Sequence, residues 1–135
     1  MPIKTLQPEQ LFPSAPFGFS QVVVSSGNRY VHCAGQTAWD ENMELVGGMD
    51  LGQQMQKALE NVGHALEAAG ATPANVVRIM TFVVDYRPDQ AMILGQTMAE
   101  FFDAENLPAA TLVGVQALAM PEFLVEVQAT AVIDE

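Results

Sequence analysis

A single carboxylate, Glu126, interrupts the branched apolar run FLVEVQATAVI at residues 123–133. In an extended strand successive side chains alternate between faces. Phe123, Val125, Val127, Ala129, Ala131 and Ile133 then share one face, and Glu122, Leu124, Glu126, Gln128, Thr130 and Val132 share the other. The second face is mixed: it either meets water or lines a pocket where a carboxylate moves protons. Other groups able to do chemistry are sparse. His64 follows Glu60 by one helical turn on a polar face, which predicts a solvated, weakly paired imidazole. His32 falls in a strand, where a packed or hydrogen-bonded ring is favoured over a catalytic one. The lone Cys33 cannot form an internal disulfide and reads as a packing thiol. One cysteine and two histidines without ligand spacing argue against a metal site. Without a phosphate loop or nucleophile elbow in the sequence, no cofactor is expected.

The elements that must position Glu126 follow from periodicity. With 135 residues, 50% of them hydrophobic, the chain suits one domain over 1–135, opening with a proline-containing extended lead-in over 1–18. Two strands, FSQVVVS (19–25) and RYVHCAG (29–35), flank Ser26, Gly27 and Asn28, a separator suited to a tight hairpin. From Asp50 a helix places Leu51, Met55, Ala58, Leu59, Val62, Leu66 and Ala69 on one stripe, with Asp50 as N-cap and Gly70 as its stop. Gln53, Gln56, Lys57, Glu60, Asn61, His64 and Glu67 form the opposite, polar face. ANVVRIMTFVVDY (74–86) is apolar on both faces, as a central strand should be. A second helix over 89–102 presents Met92, Ile93, Met98, Phe101 and Phe102, and TLVGVQALA (111–119) with FLVEVQATAVI completes the chain.

The order β-β-α-β-α-β-β predicts an α+β fold with two helices on one face of a mixed sheet. The other face is left bare, and burying it against further copies predicts a homo-oligomer. A formal net charge of -11 and scattered bases disfavour nucleic acid as a partner. No apolar segment approaches the ~20 residues of a membrane helix, so no membrane association and a cytoplasmic location are expected.

The segments CAGQ (33–36), ALENVGHALEAAGATPANVVRIMTFVVD (58–85), EFF (100–102), LPAATLVGVQALA (107–119) and VEVQATAVI (125–133) carry a more specific signal. In this order the sequence resembles the Rid (reactive intermediate deaminase, YjgF-like) family, often labelled endoribonuclease L-PSP, from about residue 16 to its end. The resemblance implies a chorismate-mutase-like fold, a homotrimer, and small-molecule sites in clefts between subunits. In deaminating members an arginine clamps the carboxylate of an enamine or imine. Water held near a backbone carbonyl and a strand glutamate attacks the imine carbon, and ammonia leaves.

Carried over by position, Glu126 matches the strand glutamate. Gly35 matches the glycine of the Ser-Gly-Gln turn, with Ala34 in place of its serine, and Phe19 matches an aromatic at the cleft. Ala110 stands at the arginine position, Leu112 replaces a common cysteine while its carbonyl could still hold water, and Gly95 falls where many members have asparagine. Without arginine the pocket should accept a smaller formal charge, a neutral or more apolar ligand, or one anchored by other groups. Three readings follow: hydrolytic deamination with altered specificity, a non-catalytic trimer binding a metabolite or protein partner, and, last, an endoribonuclease.

Overall fold

The computed structural model describes residues 3–134 and has the expected α+β architecture. The strands and helices are β1 (Ile3–Leu6), β2 (Val22–Ser25), β3 (Arg29–Gln36), α1 (Leu51–Ala68), β4 (Val76–Val84), α2 (Ala91–Phe101), β5 (Ala109–Val115) and β6 (Val125–Ile133). β1 lies within the lead-in and pairs antiparallel with β2. The main sheet runs β3-β6-β4-β5, with β6 antiparallel to both neighbours and β4 parallel to β5. The expected hairpin across Ser26, Gly27 and Asn28 is therefore replaced by a corner. β2 belongs to the small ladder with β1, while β3 takes its partner from the far end of the chain.

Alternation along β6 holds as expected. Val125, Val127, Ala129, Ala131 and Ile133 are buried in the core, together with Ile79 and Val83 of β4. Met55, Leu59, Val62 and Leu66 of α1 close over them, and each such side chain removed from water contributes roughly 1.5–3 kcal/mol. The Asp50 carboxylate caps α1 by accepting from the Gln53 N–H at 2.9 Å. Of the expected stripe, Met98 and Phe102 are buried and Phe101 packs against the core, joined by Leu94, whereas Met92 and Ile93 stand exposed. That helix is apolar on several sides, so its periodicity does not select a face, and in its first turn packing turned Met92 and Ile93 outward.

Gln54 was not legible as a core residue, yet it is fully buried on α1. Its amide donates to the Gly48 carbonyl at 2.7 Å and the Glu122 carbonyl at 3.0 Å, and accepts from the Leu124 N–H at 2.9 Å. This clamp fixes the chain just before Glu126. A Gln54→Ala variant strips partners from three backbone groups and is expected to lose about 2–4 kcal/mol in urea unfolding. A loss below about 1 kcal/mol would show that water replaces the amide.

Among the described residues, no helix is long and apolar enough to cross a membrane.

Candidate functional site

Glu126 sits on the helix-free face of the sheet, in register with Phe82 of β4, which in turn is in register with Val113 of β5. Its carboxylate lies directly over Gly35. A Cβ built on Gly35 would overlap the Glu126 carboxylate oxygen and stand 2.7 Å from its Cδ. Only a glycine leaves that space, because the β3 ladder is irregular between Cys33 and Gln36 and brings its backbone up against the acid. Ala34 is exposed beside it. Among the described residues, no hydrogen bond or ion pair occupies the Glu126 carboxylate. Arg78, a conceivable partner, instead reaches the Met80 sulfur at 3.4 Å.

The strand ends around this acid are tied down by side chains of the 37–39 loop, α1 and the segment leading into β6. Asn61 donates to the carbonyls of Thr37 and Trp39, both at 2.8 Å, and so holds the chain leaving Gly35. It stands on the polar face of α1 as expected, and the loop folds over that part of the helix. Trp39 donates to Glu122 at 2.8 Å and meets Phe123 edge to face at 4.8 Å. His64 matches its expectation, exposed and 3.6 Å from Glu60. A hydrogen bond from Lys57 holds the Glu60 carboxyl below its usual range. His32 is exposed rather than packed, and Cys33 is buried, which pushes its thiol up.

Phe19, Gly95, Ala110 and Leu112 come together elsewhere, around a recess of about 300 Å³. Ala110 is in register with Ile79 and Leu112 with Thr81, and Ile79 and Thr81 both point to the helix side. Leu94 and Met98 of α2 form the facing wall. Phe12 and Phe17 complete an aromatic rim with Phe19, and Phe12 stands edge to face with each of the other two at 6.1 Å.

The rim is held by two contacts. The buried Ser14 hydroxyl donates to the Phe19 carbonyl at 2.7 Å. Gly18, at φ 88°, and Gly95 meet backbone to backbone; a Cβ on Gly95 would lie 2.7 Å from the Phe17 carbonyl oxygen. The absence of a side chain at Gly95 thus lets the 15–18 turn settle on α2.

The seven residues singled out by sequence therefore form two groups on opposite faces of one sheet. A single chain does not bring Glu126 to Ala110 and Leu112.

A profile of the family described as Endoribonuclease L-PSP matches residues 10–133. RutC family proteins of Pyrococcus abyssi and Pyrococcus horikoshii are each 32% identical over 117 residues, which cover 86% of this chain and 87% and 88% of theirs. The chain belongs to this family, the Rid or YjgF-like proteins. Among solved structures it is similar to the Rid-family protein YyfB of Yersinia pestis, with 46% identity, a TM-score of 0.93 and coverage of 98% of this chain and 100% of that one. RidA of an Antarctic Psychrobacter is 30% identical with a TM-score of 0.69, covering 85% of this chain and 88% of that one. The observed fold is thus the chorismate-mutase-like fold of the Rid proteins. In this Rid chain the recess has no ionisable side chain in its lining. Thr81, Gln54 and Asn61 were missed from sequence, since a lone polar residue in an apolar strand or helix carries no periodic signal.

Proposed function

We propose that the protein works as a homotrimer in which the Glu126 face of one subunit closes over the recess of another, and that the assembled cleft hydrolyses a reactive enamine or imine lacking a carboxylate. The observation supporting this reading is the separation of the two residue groups by the sheet. A second copy supplies what one chain keeps apart, and it also covers Met80, Phe82, Val113 and Leu124 on the bare face. In the reaction an enamine first shifts a proton to carbon and becomes the imine. Water, oriented by the Leu112 carbonyl and Glu126, adds to the imine carbon while the C=N π pair moves to nitrogen. Glu126 takes the water proton and delivers it to that nitrogen. The carbinolamine then collapses to a carbonyl compound and ammonia.

A non-catalytic, ligand-binding trimer is the second reading, favoured by the uncharged lining of the recess. RNA cleavage ranks below both, given the net charge of -11. Light scattering on dilute protein is expected to give the mass of three chains, and ammonia should be released from imines generated from neutral amines. A stable single subunit would remove the composite site. A trimer without acceleration over buffer on a broad imine set would leave the binding reading.

A further inference from the structure

At one level of the helix-free face His32 of β3, Thr130 of β6 and Arg78 of β4 stand side by side, paired in register. Cross-strand partners hold their Cβ atoms about 5 Å apart, so an imidazole and a guanidinium flank the Thr130 side chain. Arg78, Met80, Gln128 and Thr130 line a dimple there of about 40 Å³. One water needs roughly 10–15 Å³, so the dimple holds about three oxygen-sized atoms. All four polar groups at this level can donate: the guanidinium fork, the Gln128 amide, the Thr130 hydroxyl and a ring N–H of His32. Among the described residues none of these side chains donates to a protein oxygen, and the guanidinium meets only the Met80 sulfur, a weak acceptor, at 3.4 Å. Lys57 and Arg87 differ, each holding an acid, Glu60 and Asp89 respectively. The acid carried by the strands of this face is Glu126, too far along β6 from Thr130 to serve, roughly 13 Å at strand spacing.

The geometry points to an oxyanion site: the Arg78 guanidinium holds inorganic phosphate or a small carboxylate, whose oxygens also accept from Thr130 and Gln128, with His32 at the border. A guanidinium fork grips two oxygens of either anion in parallel. The inference rests on the proposed function in one respect. A copy that covers Met80 and Phe82 also takes the Arg78 head, which lies against Met80, out of water. An uncompensated guanidinium there would oppose assembly. A bound oxyanion removes that cost, so the concentration of such anions is coupled to the stability of the trimer. The net charge of -11 repels anions over the chain as a whole, and retention here depends on this convergence of donors.

The test is NMR titration of the full protein, exchanged into buffer free of phosphate and carboxylates, with inorganic phosphate, acetate and chloride at constant ionic strength. Phosphate and acetate are expected to move the Gln128, Thr130 and His32 signals saturably, and chloride is not. Arg78→Met keeps an apolar stem and should weaken that binding about ten- to hundredfold, and Thr130→Val about three- to tenfold. Phosphate should raise the melting temperature of the wild-type trimer, whereas Arg78→Met should remain a trimer in light scattering and lose the response. No saturable shift, or one that Arg78→Met retains in full, would mean an adventitious ion only and overturn the inference. Dissociation of the Arg78→Met trimer, with no phosphate response in the wild type, would assign the guanidinium to a carboxylate of the neighbouring copy and overturn it equally. The donors belong to one chain, so the titration reads the site even where scattering finds a single subunit, a result that bears on the proposed function alone.

Discussion

Replacing Ala110 with arginine is expected to reverse the charge preference of the recess. Ala110 is half-buried on β5 and lines the cavity opposite Leu94 and Met98. An arginine stem laid along those apolar walls would keep its methylenes covered and carry the guanidinium toward the aromatic mouth. A planar guanidinium grips a carboxylate through two parallel hydrogen bonds, and a desolvated pair of this kind is worth about 2–5 kcal/mol against its absence. In the Ala110→Arg variant phenylacetate should therefore gain between about thirtyfold and a few thousandfold relative to 2-phenylethanol. Ala110→Gln adds similar bulk without charge and should not shift the ratio. A folded arginine variant with unaltered preference would show that position 110 does not face the ligand.

Glu126→Gln should lower ammonia release by about a hundredfold to ten-thousandfold with little change in KM, because the amide keeps the shape and loses the ability to shuttle the proton. Gly35→Ala tests the same group by displacement. Its new methyl would occupy the space of the carboxylate, so the acid must swing away from β3 while remaining ionisable. This variant should also lose turnover, and ligand titration into the recess should be nearly unaffected because Gly35 is not part of its lining. If Glu126→Gln retains more than about a tenth of wild-type turnover, the carboxylate is not the proton carrier and water is activated by other groups. The two substitutions act on one face of the sheet, and Ala110→Arg acts on the other. Loss of turnover from the Glu126 face together with altered ligand preference from the recess face is what a site assembled from two subunits requires.

The extent to which this site was legible in sequence depends on the range of the forces that built it. The β6 alternation placed Glu126 opposite the core without any knowledge of partners, because successive strand side chains must point to opposite faces. Helix α1 was equally plain, with a capping Asp50 and a single apolar stripe. Helix α2 was not, since its several apolar sides offered the sheet more than one face. Gln54 and Asn61 escaped notice for a related reason. Their role is to satisfy backbone groups in segments far along the chain, and no local pattern announces which carbonyls a buried amide will meet.

The sequence by itself determined the α+β class, the helix-free sheet face and the family resemblance. Only the tertiary structure decided that β6 inserts between β3 and β4, that Leu112 shares a face with Thr81 while Glu126 shares one with Phe82, and that an unpaired hydroxyl underlies the recess. The physical reason is that alternation is a property of one strand, whereas neighbours and register come from pairing between distant segments. A one-residue slip in that pairing would exchange the faces on which every one of these groups appears.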